Sequence, residues 1–239
     1  MAEEKVNYGK PEGKEGEQLL DNMDYHHTPV SLWSIDHMKL QETDTVLDIG
    51  CGSGLNVKRL HQKTPKSKTY GVDYSSTSVK KSKLLNKELI ESQDVEIIQA
   101  NVLDMPFEEE YFDVITAFET VYFWPDIVDS FKQVKRILKN DGKFCIVLDA
   151  NGIYAPEIEE VAIKEGCTFY TDEELVKLLK DAGYTDITVY HRKRLENKKV
   201  IKQITRNSYS EETVDEYLES EIEEDEPVTP EWLCIISKK

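Results

Sequence analysis

At 239 residues with 39 % hydrophobic side chains, the chain is long enough to bury one large core. A net charge of -17 argues against a nucleic-acid substrate, because affinity for nucleic acid comes from Lys and Arg side chains that neutralise phosphates, although the basic stretch HRKRLENKK keeps that class open. No apolar run approaches the roughly 20 residues of a membrane span, and the N-terminus lacks the apolar stretch of a signal peptide, so we expect a cytoplasmic protein that does not enter a membrane.

The segment before the first predicted strand is polar and Gly-rich over residues 1–24 and becomes amphipathic in YHHTPVSLWSIDHMKL. Pro29 can open a helix there, because the first helical position tolerates proline. The apolar face of this helix would contain Leu32, Trp33, Ile35 and Met38. The core of a sheet does not require such a helix, so we predict that residues 1–40 form a lid over the functional site, and that residues 41–239 form the main domain. The alternative is a helix that only packs on the outside of the sheet.

From residue 45 onward, short apolar runs alternate with amphipathic segments, which is typical of a parallel sheet covered by helices. Strands are predicted near residues 45–49, 69–72, 95–99, 114–118, 143–148, 186–190 and 232–237. The clearest helix is predicted over residues 126–138, where apolar residues recur at helical spacing before KNDGK ends it. A second helix begins with a capping box formed by Thr171 and Glu174 and closes at Gly183.

An acidic run, EETVDEYLESEIEEDE, lies between the last two predicted strands. It occupies residues 211–226 and contains ten acidic and no basic side chains. Such a run cannot bury apolar surface, so we predict a solvated insertion in the main domain.

Three glycines lie at every second position in VLDIGCGSGLNV, where the first strand passes into a helix. Glycine admits positive φ and lets a ligand approach the backbone closely, so the cluster indicates a bound ligand. A dinucleotide site has the spacing G-x-G-x-x-G, but Leu55 occupies the place of its third glycine. The spacing is instead D-x-G-x-G-x-G, formed by Asp48, Gly50, Gly52 and Gly54. This pattern resembles the first motif of the class I S-adenosylmethionine-dependent methyltransferases.

Two further stretches lie where this cofactor would need them. Asp73, followed by Tyr74, stands at the tip of the second predicted strand, where a carboxylate can accept hydrogen bonds from both ribose hydroxyls. That carboxylate alone would also suit a dinucleotide. The segment IIQANVLDM is similar to the family's segment after strand three, which implies that Asn101 and Val102 lie beside the adenine. The family usually has Asp at the first of these positions, so Asn101 is a departure, and it could instead only cap a turn.

The resemblance implies a Rossmann-like, doubly wound α/β fold. Its seven-stranded sheet would be mostly parallel, with the last strand antiparallel and with helices on both faces. It also implies S-adenosylmethionine as cofactor, S-adenosylhomocysteine as product, and methyl transfer to a small-molecule acceptor by in-line displacement. Asp48 would orient the glycine loop and the methionine amino group. Phe118 and Glu119, just past the fourth strand, would flank the adenosine or the methionine tail.

The acceptor side is less well marked in the sequence. Family members that act on nucleobase or amide nitrogen carry an N-P-P-Y-like turn after strand four, whereas this chain has AFETVYFWPD, which favours a small, apolar or flat acceptor. The tentative catalytic residues are His27, Glu119 and Tyr122, and the tentative acceptor-binding residues are His26, Trp33, Tyr122 and Trp124. The element DANGIYAPEIEE would form another wall of the acceptor pocket. The four cysteines contain no C-x-x-C pair, and we predict no metal site.

Two other functions remain open at this point. An NAD-dependent oxidoreductase is disfavoured by the glycine spacing and by the lack of a recognisable hydride-transfer set. A cofactor-binding partner protein without turnover, which would dock another chain through its acidic insertion, is compatible with every motif above. The sequence leaves open the oligomeric state, the identity of the acceptor and the methylated atom.

Overall fold

One sheet organises the computed structural model, which describes residues 7–150, 166–193 and 231–239. Its strands are β1 (Val46–Ile49), β2 (Thr69–Asp73), β3 (Val95–Gln99), β4 (Phe112–Phe118), β5 (Leu138–Leu148), β6 (Thr185–Lys193) and β7 (Glu231–Lys238). Their order across the sheet is β3-β2-β1-β4-β5-β7-β6. The pairs among β1 to β5 are parallel, and β7 runs antiparallel to both β5 and β6. The predicted seven-stranded sheet with an antiparallel last strand is therefore confirmed.

Helices cover both faces of this sheet, as predicted. They are α1 (Gly13–Met38), α2 (Leu55–Lys63), α3 (Ser76–Leu85), α4 (Lys87–Glu91), α5 (Ile127–Ile137) and α6 (Asp172–Asp181), and a short 3-10 turn spans Val121–Phe123. On one face, Phe131 of α5 and Leu175 of α6 join the core that contains Phe144 of β5. On the other face, Leu60 of α2 and Trp33 of α1 join a second core around Trp232 of β7.

The N-terminal helix is longer than the sequence indicates. It begins at Gly13 rather than at Pro29, which lies buried inside the helix. Its first half is tied to α3, because the Lys81 ammonium contacts the Asp21 carboxylate and the Glu17 carbonyl oxygen, both at 2.7 Å. These long-range contacts stabilise a polar stretch that local propensity assigns to a tail.

The second half of α1 packs into the core of the sheet, contrary to the prediction that the core does not need this helix. The Trp33 side chain is only 7 % exposed, and its ring lies 5.8 Å from that of Trp232. Val30, Ile35 and Met38 are buried in the same cluster. Most residues from Thr28 onward therefore pack as part of the sheet's core, and the part of α1 that lines the small cavity lies between Leu20 and Ser31.

One strand begins earlier than predicted. Strand β5 begins at Leu138, which the sequence predicts as the last residue of a helix, because Leu138 pairs with Phe112 before a register shift between Phe112 and Val114. The capping box of α6 is confirmed, with the Glu174 amide donating to Thr171 Oγ1 at 3.2 Å. The acidic insertion at 211–226, most of DANGIYAPEIEE and most of HRKRLENKK lie outside the described residues.

Candidate functional site

Two adjoining cavities open at the carboxyl ends of the parallel strands, where open α/β sheets generally bind ligands. The small cavity, about 100 Å³, lies between α1, α2 and the ends of β1 and β4. The large cavity, about 370 Å³, lies above the ends of β1, β2 and β3. The residues that line both cavities are Gly9, Gly50, Asp73, Thr120 and Phe123. One elongated ligand can therefore span the two.

The predicted glycine loop forms the floor where the cavities meet. Gly50 and Gly52 have φ angles of 73° and 53°, in the left-handed region that favours glycine. A Cβ on Gly50 would lie 2.3 Å from Thr120 Oγ1, so this backbone position admits no side chain. The Gly50 amide donates to the Val72 carbonyl oxygen at 2.8 Å, which folds the loop across the ends of β1 and β2. The loop thus presents bare backbone to both cavities.

Gly54 lies outside both cavities and has a packing role. Its φ is 82°, and a Cβ there would lie 2.1 Å from Ser82 Oγ and 2.6 Å from Asn86 Nδ2. We expect Gly54→Ala to lower the free energy of unfolding by about 1 to 3 kcal/mol through backbone strain and overpacking against α3. Urea denaturation measures this change. Gly166→Ala is the matched control, since Gly166 has a φ of 78° and open space around it, and an equal loss in both variants would contradict the packing role.

Asp73 lies where the two cavities join, because it lines both of them. Its carboxylate accepts hydrogen bonds from the Gly52 amide at 2.9 Å and from the Ser75 amide at 2.8 Å. Burial raises the pKa of Asp73 from its ordinary value, and these backbone donors oppose the shift. The neighbouring Tyr74 lines the large cavity and remains 45 % exposed. A carboxylate fixed by backbone donors at this edge is placed to accept hydrogen bonds from ligand hydroxyl groups.

Asp48 lines the small cavity as a buried acid at the end of β1. It is 1 % exposed and accepts a hydrogen bond from Thr116 Oγ1 at 2.8 Å. Burial raises the pKa of Asp48 to about 7, with a further raising effect from the Asp73 charge, and the Thr116 hydrogen bond opposes both. The carboxylate is therefore poorly compensated by this chain, which favours a cationic group nearby.

Asn101 and Val102 line the large cavity, where the resemblance places the adenine. The Asn101 side-chain oxygen also accepts a hydrogen bond from the Leu103 amide at 2.9 Å, so this residue does cap a turn. A carbonyl oxygen has two lone pairs, and the capping bond uses one of them. The two roles left open by the sequence are therefore compatible.

We expect Asn101→Leu to weaken binding of S-adenosylhomocysteine by about 1 to 3 kcal/mol, because it removes the acceptor for the adenine amino group. Asn101→Asp keeps an oxygen acceptor for both the Leu103 amide and the adenine amino group, so it should preserve or tighten binding. Titration calorimetry on the three proteins compares the affinities, with thermal unfolding of the free proteins as a control for the turn. Equal affinities would place the adenine away from Asn101.

The residues after β4 divide into two groups. Phe118 and Glu119 line the small cavity, as expected for residues flanking the ligand. The Glu119 carboxylate accepts hydrogen bonds from the Tyr122 hydroxyl at 3.1 Å and from the Asp149 amide. Tyr122 lines neither cavity among the described residues, because its hydroxyl turns to Glu119 and its ring packs on Phe169, with centroids 5.8 Å apart. The structure thus does not support a direct role of Tyr122 in catalysis or in acceptor binding.

The remaining candidates are also separated by the structure. His27 lines the small cavity and Trp124 lines the large one. His26 is exposed on α1 with its ring against Tyr25, and Trp33 is in the core. His26 and Trp33 therefore line neither of the two cavities, and their place in an acceptor pocket stays a prediction. Helical periodicity explains the difference, because His26 and His27 point in directions about 100° apart.

Sequence reasoning missed two parts of the site. A strap over residues 7–12 crosses the junction, where a Cβ on Gly9 would lie 2.7 Å from the Phe123 ring. Asp24 of α1 and Arg59 of α2 line the small cavity and not the large one. Neither part has a local pattern, since both depend on how α1 packs. The one signal in the sequence was Arg59, a charged residue within the amphipathic segment that forms α2.

The charges around the small cavity suit a cationic ligand. Four carboxylates line it, from Asp24, Asp48, Asp73 and Glu119, against one guanidinium, from Arg59. S-adenosylmethionine carries a sulfonium and an ammonium against one carboxylate, so this donor and acceptor set fits it. Among the described residues, no group of three or more His, Cys, Asp or Glu side chains could hold a metal ion, and no helix is long and apolar enough to cross a membrane.

The sheet order, the glycine loop after β1 and the carboxylate after β2 define a nucleoside-binding α/β protein. A family model described as "Methyltransferase domain" matches residues 47–146. The 2-phytyl-1,4-naphtoquinone methyltransferase of Nostoc sp. (strain PCC 7120) is 31 % identical over 173 residues, which is 62 % of this chain and 75 % of that protein. The enzyme of the same name from Trichormus variabilis is 27 % identical over 173 residues, which is 62 % of this chain and 75 % of that protein.

A solved structure shows the same fold. The geranyl diphosphate C-methyltransferase of Streptomyces coelicolor A3(2), in complex with Mg2+, geranyl diphosphate and S-adenosyl-L-homocysteine, aligns with a TM-score of 0.66 and 18 % identity. The alignment covers 98 % of this chain and 88 % of that one. The chain belongs to the class I S-adenosylmethionine-dependent methyltransferases, and S-adenosylmethionine is its cofactor. This family membership decides between the two cofactors that Asp73 alone leaves open.

Proposed function

We propose that the chain transfers a methyl group to a small, largely apolar acceptor. The observation that carries this proposal is the aromatic lining where the cavities meet. Phe123 lines both cavities, and Trp124 and Pro125 continue along the large one. The Trp124 ring is fixed by a hydrogen bond from its Nε1 to Thr120 Oγ1 at 3.3 Å. An apolar or flat molecule gains burial energy on such a surface.

The charge of the site supports the same class of acceptor. Arg59 is the one Lys or Arg side chain among the described residues that line the two cavities, and it lies in the small one. A nucleic acid draws its affinity from basic side chains that contact phosphates, which this lining does not provide. The names of the two relatives above also denote methylation of a quinone, a small apolar molecule.

Each residue of the site has a definite task in this proposal. When bound, the cofactor supplies an activated methyl group on its sulfonium. Asp73 holds the ribose hydroxyls, and Asp48 places negative charge beside the cationic end. Glu119 positions the segment after β4 through its bonds to Tyr122 and Asp149. For an acceptor that must lose a proton, the proposed bases are His27 and Glu119, which both line the small cavity.

Fractionation of labelled product tests the acceptor class. The purified protein is incubated with S-adenosylmethionine labelled in its methyl group, and separately with metabolite, nucleic-acid and protein fractions of a cell extract. We expect label in small molecules that partition into organic solvent, and much less of it with Asp73→Ala when the cofactor is kept well below saturation. Label confined to nucleic acid or protein would contradict the acceptor class, and binding without transfer to any fraction would favour a protein without turnover.

The proposed lid consists of the strap and the first half of α1. Ser75 Oγ donates to the Pro11 carbonyl oxygen at 2.6 Å and the Gly13 amide donates to Thr77 Oγ1 at 3.2 Å, so the strap is latched to α3. We expect deletion of residues 2–12 to speed dissociation of S-adenosylhomocysteine by about tenfold or more while the protein stays folded, because the strap buries little of the core. Stopped-flow displacement measures the rate. Deletion of residues 2–6 is the control, and equal rates in all three proteins would refute the lid.

A further inference from the structure

The residues that line both cavities surround the junction where a ligand passes from one cavity into the other. Gly9 and Gly50 present backbone there, and Phe123 presents an aromatic ring. Asp73 presents a carboxylate, which accepts hydrogen bonds when it is ionised. Thr120 presents a hydroxyl group, which can donate a hydrogen bond as well as accept one. Among the described residues that line both cavities, Thr120 is therefore the one with a neutral side-chain donor.

The Thr120 hydroxyl group is held in place by its neighbours. Trp124 Nε1 donates to Thr120 Oγ1 at 3.3 Å, which occupies one lone pair of the hydroxyl oxygen. The same oxygen lies against the glycine loop, since a Cβ on Gly50 would be only 2.3 Å from it. Within the part of the chain that the structure describes, no atom accepts a hydrogen bond from the Thr120 hydroxyl. A half-buried donor in this state gains free energy from a ligand atom that accepts its proton.

The direction of the cofactor along the site brings the acceptor to this hydroxyl group. A cofactor that spans the cavities, with its adenosine in the large one, has its sulfonium at their junction. The acceptor must place its reacting atom about 3 to 3.5 Å from the methyl carbon, so it reaches the junction as well. Phe123 offers the acceptor an apolar contact there. Such a contact leaves a flat molecule free to turn in its plane, whereas a directional hydrogen bond fixes its rotation.

We propose that the Thr120 hydroxyl group donates a hydrogen bond to an oxygen atom of the acceptor, at or next to the atom that is methylated. The acceptor is then a flat, apolar molecule that carries a hydroxyl, ether or carbonyl oxygen, and not a pure hydrocarbon. This inference rests on the proposed function and adds the polar group that the acceptor carries. Trp124 is a positioning residue in this arrangement, because its Nε1 donor sets the direction in which the Thr120 hydroxyl donates.

Two probes of equal shape that differ in one oxygen atom test this inference. Anisole carries an ether oxygen, which only accepts hydrogen bonds, and ethylbenzene has a methylene group in its place. Ligand-observed NMR titrations measure both affinities in protein saturated with S-adenosylhomocysteine. We expect Thr120→Val to weaken anisole binding by about threefold or more, and ethylbenzene binding by less than about twofold, because the variant loses one hydrogen bond. Thr120→Ser keeps the hydroxyl group and should retain most of the anisole affinity.

Further variants separate recognition of the oxygen from the shape of the pocket. Trp124→Phe keeps an aromatic ring without the Nε1 donor, and it should lower the affinity for anisole more than that for ethylbenzene. Thr188→Val, at an exposed position of β6, is the control and should change neither affinity. Equal losses for both probes in Thr120→Val would make Thr120 only a wall of the pocket and overturn the inference. No binding of either probe to the wild-type protein would contradict the proposed apolar acceptor, and the inference with it.

Discussion

Replacing Asp73 with alanine is expected to weaken binding of S-adenosylmethionine and S-adenosylhomocysteine by about 1.5 to 3 kcal/mol, through loss of charge-assisted hydrogen bonds to the ribose. The structure adds a second reason for a large effect. Asp73 accepts from the Gly52 amide, so its removal also frees the glycine loop that forms the floor of both cavities. Titration calorimetry gives the affinities directly.

Two further variants make this result specific. Asp73→Asn keeps the size of the side chain and one acceptor, so its loss should be smaller than that of Asp73→Ala. Asp129→Ala removes an exposed carboxylate on α5 that lines neither cavity, and it should leave the affinities unchanged. Cofactor affinity in Asp73→Ala that matches the wild type would remove this carboxylate from the site.

The second large effect concerns Asp48 and the pH dependence of stability. Its folded pKa of about 7 lies above the ordinary value of 3.8, so between these two values the folded protein binds more protons than the unfolded chain. The free energy of unfolding of the cofactor-free protein should therefore fall as pH rises from about 4 to about 7, and level off above that range. The contribution of Asp48 to this fall is up to about 4 kcal/mol, at 1.36 kcal/mol for each pKa unit.

Asp48→Asn removes this titration. We expect the variant to be more stable than the wild type at pH 8, since an amide can still accept from Thr116 without burying a charge, and to show a flatter dependence on pH. It should also bind the cationic cofactor more weakly, which is the usual trade between stability and function. Urea denaturation from pH 5 to 8.5 measures the difference, with Asp129→Asn as the control. Parallel stability profiles for wild type and Asp48→Asn would show that Asp48 does not titrate in this range.

The parts of the fold that were predictable from the sequence depend on local pattern. The strands and their sequence of connections follow from short apolar runs separated by amphipathic segments. Gly50, Gly52 and Asp73 were identifiable because each lies at the end of a strand or within three residues after it, and the ends of neighbouring parallel strands meet at one edge of the sheet. The positions of the strand ends therefore place these residues at the cavities, with little contribution from packing between distant segments of the chain.

What the sequence could not show depends on packing between distant segments. The first half of α1 has weak amphipathic character and is held by Lys81 of α3, so its helix could not be inferred from its own residues. Trp33 is as compatible with a lid as with the core until Trp232 is placed beside it. Asp24 and Arg59 line the same cavity because α1 packs against α2. Tyr122 lines neither cavity, because a 3-10 turn directs its hydroxyl to Glu119, and the sequence does not reveal this turn.

A crystal structure with S-adenosylhomocysteine tests the central claim, that one cofactor molecule spans the two joined cavities. The account predicts adenine beside Asn101 and Val102 in the large cavity, the ribose hydroxyls on the Asp73 carboxylate, and the amino-acid group in the small cavity. Density for the ligand that leaves Asp73 without a contact, or that runs in the opposite direction along the site, would contradict it.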